Sequence, residues 1–418
     1  MLAVLAVLLA GCGRTADPRT VVEVWGLGRE GEVLAGLVPE FERTHPGLRV
    51  RVQQIPWSAA HEKLLTAFVA EALPDVIQIG NTWVAEFATL KAIAPIDDML
   101  EGESALPRGD FVAGALAANA IDGRTWALPW YVDTRLMFYR SDLLAQAGVA
   151  AAPRTWDGWS QAFARLRAVH GAQYRPLFLP LGEWEPVVLL ALAHGAPLLA
   201  DGGRRGAFSD PRFGAALAQY LALYRDGAAE RAAAQQIGNL YQEFARGGFA
   251  VMITGPWNIG ELRRRLPPAL QPHWATAPLP ALEGPGPGPG IAGGASLALT
   301  RRGAQSAGAR ALVAFLLRTD MQVRLNALTG SLPARQSAWR AAGLDRAPHT
   351  RAFWDQLAHL EPLPAVAEWE QIADRIGRSA EALARGQADV ATATAALDRR
   401  VDAILEKRRW MLARVGAP

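Results

Sequence analysis

An alternation of short apolar runs with amphipathic helical patterns opens the chain and limits the folds that it can adopt. Apolar or alternating runs at Val21–Trp25, Leu48–Gln53 and Asp75–Ile79 predict strands. Between them, Glu32–His45 and His61–Ala72 place their apolar residues on one helical face, although Pro39 interrupts the first. Strand, helix, strand, helix and strand in this order predict a parallel α/β unit with helices on both faces of its sheet.

Ligands of such sheets collect beyond the carboxyl ends of the strands. In this chain those ends are Gly26–Glu30, Ile55–Ser58 and Gly80–Trp83. Each offers polar groups, and two of them offer a Trp. The alternative is that residues such as Asn81 and Thr82 only form turns or helix caps.

Composition excludes several classes of function. A chain of 418 residues exceeds one hydrophobic core and predicts two or three domains. The net charge is +3, and no basic run is longer than Arg263–Arg265, so a nucleic-acid partner is not expected. One Cys and seven scattered His predict no disulfide, no metal site and no cofactor. The 14 Trp need burial or a stacking partner.

The N-terminus predicts the compartment. Leu2–Ala10 is an apolar run that is too short to span a bilayer but has the length of a signal-peptide core. It leads to Gly11 and Cys12, the only Cys of the chain, which predicts a lipoprotein signal with an acylated Cys12. Residues 13–20 follow as a polar tether. The alternative is an apolar N-terminus that is not a signal. The chain also departs from the usual lipoprotein signal, because no basic residue precedes Leu2.

Charges and aromatic rings meet in the stretch Asp122–Leu143. Its middle, Tyr131–Tyr139, predicts a strand on which Tyr131, Asp133 and Arg135 share a face. One interpretation is a wall of a polar-ligand site, where rings stack and the charged groups form hydrogen bonds. The other is a core strand in which Asp133 and Arg135 pair with each other.

The middle of the chain predicts a second α/β lobe. Thr155 is a candidate N-cap for the helix that follows it. The predicted strand Leu177–Leu181 runs into Glu183, Trp184 and Glu185. Two carboxylates around a Trp allow a glycosidase hypothesis, because glycoside hydrolysis uses paired acids. Solvated loop acids are the simpler explanation.

Two later segments present glycine and polar groups beside predicted strands. The strand Phe249–Ile253 leads to Gly255–Asn258, which predicts a helix start whose free N–H groups can meet a ligand. Gly284–Gly290 alternates Gly with Pro and predicts a surface loop. The strand Ile291–Leu299 follows, and Gly there permits close approach of a ligand or another strand. The turn Gly330–Arg335 presents Arg335.

Taken in order, these segments resemble the family 1 extracellular solute-binding proteins, the sugar-capturing lipoproteins of ABC importers. The segments that carry the resemblance are Leu9–Cys12, Phe41–Gly47, Pro74–Val76, Asp122–Leu143, Pro153–Trp156, Gly255–Trp257, Gly293–Gly294 and Gly330–Arg335. The chain is most similar to the trehalose/maltose-binding branch. There, the resemblance implies that Glu30, Tyr131, Asp133 and Arg335 hold sugar hydroxyls. The chain departs from the branch at Asn81 and Ala295, where an Asp and an aromatic residue are usual.

The resemblance implies a two-lobed α/β fold of the type II periplasmic binding protein class, each lobe a mixed sheet flanked by helices and joined by crossing strands. The implied lobes are 21–128 with 291–335, and 129–290 with 336–410. The candidate ligand-binding residues are Glu30, Asn81, Thr82, Trp83, Tyr131, Asp133, Arg135, Trp184, Glu185, Trp257, Asn258, Gly293, Gly294 and Arg335.

The implied function is capture of a sugar, a mono- or disaccharide such as trehalose or maltose, for an ABC permease. The implied protein is a non-enzymatic monomer outside the cytoplasm, held to a membrane only by lipidated Cys12. The alternatives are a binder of another polar solute, such as a polyamine or a glycerophosphodiester, and a secreted glycosidase.

Overall fold

The structure is a computed structural model that describes residues 19–101, 106–232 and 239–415. The apolar run Leu2–Ala10, the candidate lipidation site Cys12 and most of the tether lie outside these residues. Within the described ranges, no helix combines the length and the apolarity that crossing a bilayer requires.

The first lobe is built on a six-stranded mixed sheet with the order β15-β6-β14-β3-β1-β2. Its strands are β1 (Thr20–Leu27), β2 (Leu48–Ile55), β3 (Val76–Gly80), β6 (Leu128–Asp133), β14 (Gly293–Leu299) and β15 (Leu332–Pro333). Strand β1 pairs in parallel with β2 and β3, as the alternating sequence pattern predicts. Strand β14 returns antiparallel between β3 and β6 and therefore completes a mixed sheet.

Helices cover both faces of this sheet. They are α1 (Gly28–Thr44), α2 (Trp57–Val69), α3 (Val84–Thr89), α4 (Ala113–Ala117), α11 (Arg301–Ala304), α12 (Ala307–Leu316), α13 (Thr319–Thr329) and α14 (Gln336–Ala341). Helix α1 continues through Pro39, whose side chain is exposed, while Leu34, Leu37 and Phe41 are buried against the sheet. The apolar face thus outweighs the hydrogen bond that proline removes.

The second lobe is built on a four-stranded sheet with the order β12-β7-β11-β8. Its strands are β7 (Leu136–Arg140), β8 (Leu177–Phe178), β11 (Val251–Thr254) and β12 (Trp274–Ala277). Its helices are α5 (Ser141–Gln146), α6 (Trp156–His170), α7 (Glu185–Ala193), α8 (Pro211–Arg225), α9 (Leu240–Ala245), α10 (Trp257–Arg265), α15 (Arg351–Gln356), α16 (Trp369–Ala384), α17 (Val390–Ile404) and α18 (Glu406–Val415). The predicted N-cap of α6 is confirmed, because Thr155 Oγ1 accepts the Gly158 N–H at 3.1 Å.

Three two-stranded pairs complete the strands of the described residues. They are β4 (Ala120–Ile121) with β5 (Arg124–Thr125), β9 (Leu199–Ala200) with β10 (Arg205–Gly206), and β13 (Gly290–Ile291) with β16 (Leu360–Glu361).

The chain crosses between the lobes within two residues, so the predicted continuous strand over Tyr131–Tyr139 is divided into two strands. Strand β6 ends at Asp133 in the first sheet, and β7 begins at Leu136 in the second. Thr134 and Arg135 form the crossing. The chain therefore leaves the first lobe after Asp133, whereas the boundary predicted from the sequence lies between residues 128 and 129. The reason is that β6 completes its ladder with β14 before it leaves the first sheet.

Helix α14 lies in the first lobe, whereas the sequence predicted residues 336–410 in the second. It packs on α13 and β15 of the first lobe, and Trp339 Nε1 donates to the Pro333 carbonyl at 2.6 Å. The described chain enters the second lobe after this helix, since α15 contacts β12.

Candidate functional site

A cavity of about 850 Å³ lies between the two lobes. The first lobe lines it with the end of β6, the start of α1 and the turn after β3. The second lobe adds the starts of α7 and α10, and the strand β14 adds its first residues. Among the candidate ligand-binding residues, the structure brings together Glu30, Asn81, Thr82, Trp83, Tyr131, Asp133, Arg135, Trp184, Glu185, Trp257, Gly293 and Gly294.

Asp133 ends β6 at the boundary between the lobes and faces this cavity. Its side chain is half-buried, and within the described part of the chain no group donates a hydrogen bond to its carboxylate. Burial raises the pKa of Asp133 to about 6; the charge of Arg135 lowers this pKa, while the carboxylates of Glu185 and Glu30 raise it. An acceptor without an internal donor is therefore available to a ligand.

Arg135 opens the second lobe and forms ion pairs with two carboxylates. Its guanidinium lies 2.6 Å from Glu185 Oε1 and 3.1 Å from Glu183 Oε2. It also lies over the ring of Trp257, 5.9 Å from the ring centre. The proposed internal pair between Asp133 and Arg135 is thus replaced by pairs within the second lobe, because the chain changes sheets between the two residues.

Tyr131 and Glu30 form the floor contributed by the first lobe. Tyr131 is buried, its hydroxyl accepts a long hydrogen bond from Gln78 Nε2 at 3.5 Å, and burial raises its pKa. Gln78 also fixes the start of α1, because its Oε1 accepts the Leu27 N–H at 2.6 Å. The hydroxyl of Ser331 donates to Glu30 Oε1. These bonds hold the Tyr131 hydroxyl and the Glu30 carboxylate in place beneath the cavity.

Asn81 and the glycine pair shape the wall between β3 and β14. The Asn81 amide donates to the Gly293 carbonyl at 3.0 Å and accepts the Ser296 hydroxyl at 2.8 Å. Gly294 has φ +114°, and a Cβ there would lie 2.3 Å from the Tyr131 carbonyl. Glycine is therefore required by the close approach of a neighbouring strand, one of the two explanations that the sequence left open.

Aromatic rings line both sides of the cavity. Trp57 and Trp83 from the first lobe meet edge to face, with ring centres 5.7 Å apart. Trp184 from the second lobe is braced edge to face by Trp369, also at 5.7 Å. Trp257 is 47% exposed and folds back over Gly255, where any Cβ would lie 1.8 Å from its ring. Flat apolar surfaces thus face each other across a cavity with charged groups at its centre.

The charged lining is nearly balanced. Its acidic members are Glu30, Asp133, Glu185 and Glu261, and its basic members are Arg29, Arg135 and Arg264. Arg29 pairs with Glu32 at 2.7 Å, and Arg264 pairs with Glu261. No cluster of three or more His, Cys, Asp or Glu that could hold a metal ion occurs among the described residues. Among the described residues, aromatic rings, ion pairs and one carboxylate without a hydrogen-bond donor line this cavity. Such a lining suits a ligand that is neutral overall and rich in hydroxyl groups.

Comparison with known proteins identifies the family of this chain. Residues 25–323 match the family model of the bacterial extracellular solute-binding proteins, which is more than half of the chain. The chain belongs to this family. It is a solute-binding protein of the kind that serves ABC importers.

The relatives of this solute-binding protein carry different ligands. The sugar-binding protein MalE of the phytopathogen Xanthomonas citri is 39% identical, with a TM-score of 0.90 over 94% of this chain and 99% of that one. The diacetylchitobiose binding protein DasA of Streptomyces coelicolor is 28% identical over 52% of this chain and 51% of its own. The sn-glycerol-3-phosphate-binding periplasmic protein UgpB of Agrobacterium fabrum is 23% identical over 90% of this chain and 89% of its own.

These matches confirm the predicted fold. The chain has the two-lobed type II periplasmic binding fold, with a mixed sheet in each lobe. The family also places the protein outside the cytoplasm.

Two candidate residues of the solute-binding protein do not reach the cavity. Arg335 is buried on the far side of its turn, where Nε donates to Asp110 Oδ2 at 2.7 Å and Nη1 to the Leu317 carbonyl at 2.9 Å. The turn after α13 instead presents Thr329 and Ser331 to the cavity. The prediction that Arg335 lines the site is therefore wrong, because the Asp110 carboxylate binds its guanidinium inside the first lobe.

Asn258 is the second residue that lies outside the cavity lining. Its Nδ2 donates to Thr254 Oγ1 at 2.7 Å, and its Oδ1 accepts the Tyr241 hydroxyl at 2.8 Å. The buried Asn258 therefore fixes the start of α10 to β11, and Trp257 beside it lines the cavity.

Other residues of the lining were not predicted from the sequence. These are Arg29, Trp57, Val132, Thr134, Leu189, Pro256, Gly260, Glu261, Arg264, Ile291, Leu328, Thr329 and Ser331, together with Gly80. Trp57 carried a usable signal, since it follows the predicted strand that ends at Gln53. Glu261 and Arg264 carried none, because their positions depend on the direction in which α10 leaves its sheet.

Proposed function

We propose that this solute-binding protein captures a sugar, of mono- or disaccharide size, between its two lobes and delivers it to the membrane permease of an ABC importer. The observation that carries the proposal is the unpaired carboxylate of Asp133 at the centre of a cavity walled by Trp and Tyr rings. Sugar hydroxyls donate to such a carboxylate. The faint positive charge on sugar C–H groups is attracted to the faces of aromatic rings.

The size and the lining of the cavity support a disaccharide as the ligand. A volume of about 850 Å³ lies in the range of pockets that enclose a whole small ligand. Trp57 and Trp83 on one lobe and Trp184 and Trp257 on the other offer more ring surface than one sugar unit covers. We propose trehalose and maltose as the first disaccharides to test, in keeping with the similarity to the sugar-binding MalE.

The paired acids that suggested a glycosidase support a binding role instead. One guanidinium, that of Arg135, binds both Glu183 and Glu185. A hydrolase needs one carboxyl that gives up a proton and one that attacks or activates water. Two carboxylates held by the same cation are committed to structure, so we propose that the protein binds its sugar and does not hydrolyse it.

Anchoring and motion complete the proposal. We propose that Cys12 carries the lipid that holds the protein at the outer surface of a membrane, as a monomer. The two lobes close on the sugar by bending at the crossing Thr134–Arg135 and at the return into β14, which expels water and strengthens the hydrogen bonds inside.

The proposal is tested by thermal unfolding with a panel of ligands, because a ligand that binds only the folded state raises the melting temperature. The panel contains trehalose, maltose, glucose, a glycerophosphodiester and a polyamine. We expect a concentration-dependent rise with at least one sugar, and no product when that sugar is incubated with the protein. A rise in melting temperature with only the phosphodiester or the polyamine would show that this solute, and not a sugar, is the ligand. Release of monosaccharide would show that the protein is a hydrolase.

A further inference from the structure

The last two helices of the chain form a strongly basic surface that the sugar site does not use. The basic residues of this surface are Arg399, Arg400, Lys407, Arg408, Arg409 and Arg414. Within the described residues, none of the six has a carboxylate within ion-pair distance. The whole chain has a net charge of only +3, so this concentration of positive charge is local.

Two of the three acids of these helices are occupied elsewhere, while the third, Glu406 at the start of α18, is exposed. Asp398 accepts the backbone N–H groups of Phe208 and Ser209 at 2.7 and 2.9 Å, and Asp402 accepts that of Gly206 at 2.9 Å. These bonds dock α17 on the loop that follows β10. These two carboxylates are therefore directed inward, and Glu406 is the one acid of the two helices that offsets the basic residues of the outer face.

The exposed face of α18 combines this charge with a large apolar ring. Trp410 is 55% exposed, and Lys407 and Arg414 lie three residues before and four residues after it on the same helical face. The guanidinium of Arg414 lies over the indole, 3.7 Å from the ring centre. Positive charge and an exposed aromatic ring therefore occur together on this face of α18.

A shallow basic depression adjoins the start of this helix. Arg375, Arg378 and Arg400 line it together with Ala403 and Ile404, and its volume is about 730 Å³. Arg375 and Arg378 both pair with Asp374, at 3.9 and 2.9 Å. Arg400 has no carboxylate within ion-pair distance in the described part of the chain, so the depression retains positive charge that can receive a phosphate group.

We propose that this basic surface, α18 with the adjoining depression, docks on an anionic lipid bilayer. Lys and Arg are attracted to acidic headgroups, and Trp prefers the boundary between headgroups and acyl chains. An acidic protein would match the charge but would not offer the headgroup boundary that the exposed indole of Trp410 favours. The contact would orient the body of the protein on the membrane independently of the N-terminus and of the sugar site.

The test is cosedimentation of the chain from Arg19 onward, which contains both sheets and the cavity, with lipid vesicles. We expect binding to vesicles that contain phosphatidylglycerol, little binding to pure phosphatidylcholine vesicles, and weakening by salt. Lys407→Glu with Arg414→Glu should lower the affinity by about tenfold or more. The matched control, Arg43→Glu with Lys91→Glu, makes the same change of net charge on exposed positions of the first lobe and should lower it far less.

The apolar contribution has its own pair of variants. Trp410→Ser should weaken vesicle binding several-fold, whereas Val69→Ser, at a position that is 81% exposed, should leave it unchanged. Equal binding to the two kinds of vesicle, or equal effects of the two double variants, would overturn the proposal. If circular dichroism shows that the charge-reversed protein is unfolded, the double variant Lys407→Gln with Arg414→Gln is used in its place. Because it removes two charges without reversing them, we expect about half of the loss of vesicle affinity on a logarithmic scale.

Discussion

Arg135 binds Glu185 across 2.6 Å within the second lobe, although Asp133 stands only two positions earlier in the chain. The chain passes from the first sheet to the second between β6 and β7, so the two residues have different partners. Arg135 satisfies the carboxylates of its own lobe, and Asp133 is left without a donor at the end of the first sheet. The centre of the cavity therefore offers an acceptor that no internal cation neutralises directly.

Replacing Asp133 by Asn tests this arrangement. Charge-assisted hydrogen bonds to sugar hydroxyls are worth about 1.5–3 kcal/mol each, so we expect sugar affinity to fall by about ten- to a thousandfold. The melting temperature should not fall, because the variant also removes a half-buried charge beside other carboxylates. Titration calorimetry and thermal unfolding measure the two effects. A less stable protein with unchanged affinity would remove Asp133 from the site.

The raised pKa of Asp133 predicts a dependence on pH. The folded-state pKa of about 6 exceeds the ordinary value of 3.8, so the ligand-free folded protein binds a proton that the unfolded chain releases between these values. The contribution of this group to stability is present below about pH 4 and is lost as the pH rises to about 6.

The affinity for sugar should rise with pH over a similar pH interval, opposite to the contribution of Asp133 to stability. Hydroxyl donors favour the ionised carboxylate, so affinity should rise from pH 5 to 7, and the protein should release protons on binding near pH 6. Calorimetry in buffers of different ionisation enthalpy measures this release. The Asp133→Asn variant is the control, and a release of the same size in that variant would assign the proton to another group.

Removing the guanidinium of Arg135 should destabilise the second lobe. Arg135→Gln leaves Glu183 and Glu185 as neighbouring, partly buried carboxylates, and we expect a loss of up to about 3 kcal/mol. Urea unfolding at pH 7 measures the loss. The double variant Arg135→Gln with Glu183→Gln should recover part of it, since one of the two charges is then removed. No recovery would show that Arg135 acts through packing on Trp257 rather than through charge.

Arg335 should matter for stability and not for the sugar. Arg335→Ala strands Asp110, which also accepts the Ser337 N–H at 2.8 Å, and should cost about 3 kcal/mol in urea unfolding. At a temperature where the variant is folded, its sugar affinity should equal that of the parent protein. Arg43→Ala, at an exposed position of α1, serves as the control for the removal of an Arg. A large loss of affinity would return Arg335 to the site.

Cys12→Ser should release the protein from membranes. The prediction depends on the single Cys at the end of an apolar run, where lipidation would supply the stable anchor. Cells that express each form are fractionated, and the protein is followed by immunoblotting at low and at high salt. If Cys12→Ser stays with the membranes at high salt, where the contact of the basic surface is screened, the lipidation hypothesis is wrong.

Most of the first lobe could be predicted from its sequence. Strands β1, β2 and β3 and helices α1 and α2 have local causes, because apolar residues recur at the period of each element. Trp83 could be placed at the cavity by the rule that ligands gather beyond strand ends, since it follows β3. Tyr131 and Asp133 could be placed there because they share one face of a predicted strand.

What only the tertiary structure decided is which polar group meets which partner. Sequence spacing allowed Asp133 to pair with Arg135, and it allowed Arg335 and Asn258 to face the solute. The structure instead gives Arg335 to Asp110, which is 225 positions away, and gives Arg135 to Glu185, which is 50 positions away. A strand or a helix follows from the period of its own residues, but an ion pair depends on groups that approach only when distant segments pack. The sequence by itself therefore determined most elements of the first lobe and the strand ends that line the cavity, and packing selected the carboxylate that has no internal hydrogen-bond donor.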